Sequence, residues 1–92
     1  MSNNAQREKM IREKLEMAFS PTSLEIIDES HKHAGHAGAR GGGHFIVRIV
    51  SEAFTGQSTI QRHRMVYDAM GELMNTEVHA LSIKADTPSE TN

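Results

Sequence analysis

Histidine is the residue type in this chain whose number and spacing could do chemistry. Four of the six histidines lie in residues 28–45, "DESHKHAGHAGARGGGHF", together with five of the seven glycines. His31, His33 and His36 are close enough along the chain to reach one metal ion, and neutral imidazole suits zinc, copper, iron and nickel. The spacing is not that of a zinc finger, and a chain without cysteine has no thiolates to close a structural site. A phosphate-binding loop fits less well, because a strand, not a helix, follows the glycines. By itself the segment reads as a hairpin loop whose glycines allow positive φ and whose histidines are solvated.

The stretch "QRHRMVY", residues 61–67, is the second candidate. Helical geometry puts His63 on the apolar side with Tyr67, as structural residues, and throws Arg62 and Arg64 to either flank. Met65 falls with Gln61, Asp68 and Glu72, so an apolar side chain is expected on a polar face. Arg62, Arg64 and Met65 are therefore the candidate surface for a partner or a nucleic acid. In "VHALSIK", His79 shares a strand face with Leu81 and Ile83 at the rim of the core. It reads as a structural histidine, or as one that packing holds while a nitrogen faces an external metal centre. No nucleophile and base are legible: the serines sit in no nucleophile motif, and Asp28 and Glu29, adjacent on a strand, point to opposite faces. The chain does not read as an enzyme.

These residues need elements to position them. Ile11, Leu15, Ala18 and Phe19 recur at helical spacing and predict a helix over 4–19, stopped by Ser20-Pro21. Alternation predicts strands over 23–30 and 44–51, joined across the glycine-rich loop, which is expected to be the least ordered internal segment. A short turn follows, then a helix over 59–74 with Ile60, His63, Tyr67, Met70 and Met74 inward, flanked by Val66 and Leu73. A last strand covers 78–84. It must return through a helical crossover, which suits parallel pairing with the second strand. The fold class is α+β, in the order α-β-β-α-α-β, with a three-stranded mixed sheet and helices on one face.

Ninety-two residues make one small domain, expected over 1–88, with 89–92 as a disordered tail. The net charge of −2 hides a basic middle: residues 31–64 hold Lys32, Arg40, Arg48, Arg62 and Arg64 against Glu52 alone. Such a bias permits an anionic partner, although a solvated basic face is its commoner cause. No apolar run approaches the ~18 residues that span a bilayer, and the polar N-terminus lacks a signal-peptide core. A cytoplasmic protein with no membrane association is the expectation.

The segments "IIDESHKHAGH", "HFIVRIVSEAFTGQSTIQRHRMVYDAM" and "VHALSIKADTP" together resemble the BolA family, from about residue 8 to residue 88. The resemblance implies a fold similar to a class II KH domain. It also implies a monothiol, CGFS-type glutaredoxin as partner, and a two-iron, two-sulfur cluster shared with a glutaredoxin cysteine and the thiol of bound glutathione. This chain would hold no cluster stably alone, and the free protein is expected to be a monomer. The family's C-terminal histidine ligand maps onto His79. Its hairpin-loop ligand maps onto His33, with His36 close behind, and the choice between them stays open. The competing implication is a DNA-binding transcriptional regulator that uses a helix-turn-helix-like segment, 52–74. Against it, the KH Gly-x-x-Gly loop is here Thr55-Gly56-Gln57-Ser58, and the pI of 6.3 lacks a basic footprint.

Overall fold

Phe45, Val47 and Ile49 alternate with half-buried or exposed neighbours, so one face of their strand must be covered and the other left open. The computed structural model describes residues 4–29, 43–76 and 78–91, and its elements satisfy that demand. Helix α1 (Asn4–Phe19) leads into β1 (Ser23–Asp28) and β2 (Gly43–Val50). A 3-10 turn (Glu52–Phe54), α2 (Thr59–Met70) and α3 (Leu73–Thr76) follow. The chain then enters β3 (Val78–Asp86) and a second 3-10 turn (Pro88–Glu90). The sheet order is β1-β2-β3, with β1 antiparallel and β3 parallel to β2, the mixed sheet that the crossover argument requires. The glycine-rich loop, including His31, His33 and His36, lies outside the described residues.

The core forms between the covered sheet face and the helices. Ile26, Phe45, Val47, Ile49 and Ala85 meet Ile11, Leu15 and Phe19 of α1 and Val66 and Met70 of α2. Phe54 is fully buried, with its ring 4.9 Å from that of Phe19. The first helix has the expected bounds, but Ala18 is exposed, because the contact face runs through Ile11, Leu15 and Phe19 with Met10 at its edge. The second predicted helix is interrupted. Gly71 takes φ 57 and ψ −129, a conformation outside the helical region, and α3 starts afresh at Leu73.

Two expectations about side chains are corrected. Ile60, placed in the core from the sequence, is 66% exposed, and Tyr67 is 40% exposed. Met65, expected on a polar face, is half-buried and packs against the core. Met70 is buried as expected, but the buried stripe is centred on Val66 and Met70, so the helix is rotated toward Met65 and away from Ile60 and Tyr67. The sequence 65–67 is apolar throughout, so periodicity admits either face, and contact with β3 and α1 selects one. The chain end is a further correction. The tail expected to be disordered from 89 instead forms the turn Pro88–Glu90, because Thr87 and Glu90 make a capping box and Arg62 grips Glu90.

Candidate partner interface and ligand residues

The N-terminus of α2 is set by chemistry legible in the sequence. Ser58 Oγ accepts from the Gln61 N–H at 3.1 Å, and Gln61 Oε1 accepts from the Ser58 N–H at 2.8 Å. This reciprocal cap satisfies two donors that the first turn leaves without helical partners. Before it, Gly56 at φ 79 turns the chain between the 3-10 turn and α2.

With its start fixed and Val66 buried, α2 presents Ile60, Arg64 and Tyr67 outward at spacings of four and three. Tyr67 also reaches across to β3, where its hydroxyl donates to the Leu81 carbonyl at a long 3.4 Å. His63 is half-buried beside this stripe. The result is an exposed aliphatic residue, a guanidinium and an aromatic ring in one line, chemistry typical of protein–protein contacts. The sequence expectation put Arg64 outward, where it lies, but placed Ile60 and Tyr67 inside.

Arg62 does not stand beside Arg64 on this surface, as the sequence had suggested. Its guanidinium is drawn inward: Nε donates to the Gln57 carbonyl at 2.9 Å, and Nη1 to the Ala85 carbonyl at 3.0 Å. Nη1 and Nη2 also donate to the two carboxylate oxygens of Glu90, at 2.7 and 3.0 Å. These bonds raise the Arg62 pKa and lower that of Glu90 to about 2, the largest cause of both shifts being the hydrogen bond between the two side chains.

His79 lies at a distinctive place in the sheet. Gly43 pairs with Val78 and His44 with Ala80, so the β2–β3 register shifts at His79, which has no partner on β2. A bulge of this kind re-aims side chains at a sheet end. The imidazole of His79 itself lies outside the described atoms. The same end of the sheet roots the glycine-rich loop. The chain leaves it at Glu29, whose N–H donates to the His44 carbonyl at 2.8 Å, and returns at Gly43 beside Val78. Topology thus brings His79 to the same end of the sheet as Glu29 and Gly43, the described residues that flank the segment carrying His33 and His36. Among the described residues, no cluster of three His, Asp or Glu side chains could hold a metal ion.

The open sheet face is charged. Glu25, Arg48 and Lys84 lie side by side across the three strands, with an Arg48–Glu25 ion pair of 3.2 Å. They line a shallow hollow of about 450 Å³ with Ser23 and Asp86. That hollow is at the opposite end of the strands from His79, and its exposed charges are a solvated row. No helix among the described residues is long and apolar enough to cross a membrane.

The family described as BolA-like protein matches residues 15–90. SufE-like protein 1, chloroplastic/mitochondrial, of Arabidopsis thaliana is 49% identical over 86 residues, which is 87% of this chain and 23% of that protein. The DNA-binding transcriptional regulator BolA of Escherichia coli is 45% identical over 80 residues, 87% of this chain and 74% of the relative. Against the BolA1 structure from Arabidopsis thaliana the TM-score is 0.80 at 44% identity, covering 100% of this chain and 99% of that one. The chain spans under a quarter of SufE-like protein 1 and 56% of Protein BOLA1, chloroplastic, so the domain occurs both within a larger protein and in smaller ones.

Proposed function

The chain belongs to the BolA-like protein family, and from that premise we propose that it is the non-enzymatic partner of a monothiol glutaredoxin in handling an iron–sulfur cluster. The observation that carries this reading is the meeting of His79 with the root of the His33/His36 loop at one end of the sheet. A chain without cysteine can offer only imidazoles, which suits half of a mixed cysteine and histidine donor set. The partner side would complete the set with a glutaredoxin cysteine and a glutathione thiol. A two-iron, two-sulfur cluster bound there supplies an electron-accepting centre whose potential rises when imidazole replaces thiolate.

His79 is the anchored ligand of the pair, because its backbone belongs to β3. A loop histidine, His33 or His36, would be the second ligand. Both must be neutral to coordinate, so binding weakens as pH falls below ~6.5, the unperturbed histidine value. Ile60, Arg64 and Tyr67 would take the partner's surface, Tyr67 by its ring and Arg64 by steering an acidic patch. The test is the cluster-loaded heterodimer with a monothiol glutaredoxin, read by visible absorption and circular dichroism. His79→Ala should change the spectrum or shorten the cluster lifetime. His33→Ala should do less if His36 substitutes, and the double loop variant more. An unchanged spectrum and lifetime for His79→Ala would leave it a structural histidine.

A second reading has one specific support, the E. coli relative named as a DNA-binding regulator. In it the segment 52–74 would meet DNA through Arg64. Salt separates the two readings, since DNA affinity falls steeply with ionic strength whereas ligation follows iron and glutathione.

A further inference from the structure

The grip of Arg62 on Glu90 has the layout of a receptor with its ligand in place. Three donors converge on the Glu90 carboxylate: Nη1 and Nη2 of Arg62, and the backbone N–H of Thr87 at 2.8 Å. Each of the two residues that carry them is also held by contacts that do not involve Glu90. The guanidinium is also bonded to the carbonyls of Gln57 and Ala85, which tie it to the turn before α2 and to the end of β3. Thr87 is buried, and the backbone carbonyl of its neighbour Asp86 accepts from the Ser51 N–H at 2.9 Å. The occupant is held differently. The Arg62 side chain is only 13% exposed, whereas that of Glu90 is 45% exposed and rides on a 3-10 turn at the chain end.

We propose that Arg62 and the Thr87 N–H form a preorganised carboxylate-binding site, which Glu90 fills in the free protein and which an acidic side chain of a partner protein fills when the Pro88–Glu90 turn lifts away. The planar fork of a guanidinium matches a carboxylate with two parallel hydrogen bonds. The lowered pKa of Glu90 shows that the site favours the charged oxyanion. Asp86 adds a weaker negative field at the same guanidinium, which works against a phosphate dianion. Tethered in the same chain, Glu90 acts at a high effective concentration and shuts out weak ligands. This site is independent of the histidine ligands and stands whether or not they bind a cluster.

The test is a titration of the full chain with sodium acetate at constant ionic strength, following the Arg62 Nε–H and Thr87 N–H by ¹H–¹⁵N NMR. Glu90→Ala should show a saturable shift confined to these two signals, with apparent affinity at least about tenfold above that of the unaltered chain. Adding Arg62→Lys to Glu90→Ala should abolish saturation, because lysine has no fork and cannot hold both carbonyls. Equal responses in the unaltered chain and Glu90→Ala would overturn the proposal, as would saturation that survives Arg62→Lys. Inorganic phosphate is the second arm, and binding tighter than that of acetate would refute the carboxylate assignment.

Discussion

Ser51 sits where three elements meet. Its hydroxyl donates to the Phe19 carbonyl at the end of α1, at 2.7 Å, and accepts from the Ala53 N–H of the 3-10 turn at 3.0 Å. Ser51 is 1% exposed, and its bond to Phe19 is buried, whereas that from Ala53 is part-buried. Removing the hydroxyl leaves a buried carbonyl and an N–H without partners. Ser51→Ala should therefore destabilise the fold by about 1–3 kcal/mol, measured by urea unfolding with an unchanged m-value. Phe19 and Phe54 pack together beside this bond, so loosening there would also reach the start of the helix-turn-helix-like segment. A serine in "VSEAF" is readable as a cap for the turn that follows. Its second bond, across 32 residues to Phe19, is not.

At the scale of elements, the break between α2 and α3 orients everything after it. Gly71 adopts φ 57, and an added Cβ would meet nothing within 4 Å, so the cost of a side chain is purely conformational. Gly71→Ala should destabilise by about 1–3 kcal/mol without creating a clash. The measurement is thermal unfolding of the variant beside Glu72→Ala, an exposed control expected within about 0.5 kcal/mol of the unaltered chain. A straight helix through 71 would carry Leu73 off its buried position and shift the entry of β3, where His79 lies. The sequence shows a glycine here, but a glycine near a helix end is compatible with continuation, and the expected helix ran through it to 74. Packing of α3 on β3 makes the break necessary.

For the whole molecule, the chain end is tied back to α2 by Arg62 and Glu90. Glu90 is shifted from the usual 4.5 to about 2, first by its hydrogen bond to Arg62 and then by that to the Thr87 N–H. A carboxyl held below its unfolded value stabilises the fold fully above that value and loses the contribution as pH falls through its folded one. The tie should therefore be intact at neutral pH and weaken from about 4.5 down to about 2. Unfolding midpoints over that range should fall less steeply for Glu90→Gln than for the unaltered chain. Parallel slopes would mean that the tie contributes no measurable stability.

The sequence by itself determined the α+β class, the mixed three-stranded sheet and the bounds of α1, because these rest on local periodicity and on the rule that a parallel strand needs a crossover. It also showed the candidate ligands, since histidines among glycines are conspicuous in a chain without cysteine. Only the tertiary structure decided which face of α2 is buried, because 65–67 is apolar on both candidate faces and contact with the sheet and α1 breaks the tie. It turned Ile60 and Tyr67 outward, made a structural tie of Arg62, ordered the end around Glu90, and set a register shift at His79. Each depends on partners more than 12 residues away or on the pairing of strands, and neither leaves a periodic trace in the local sequence.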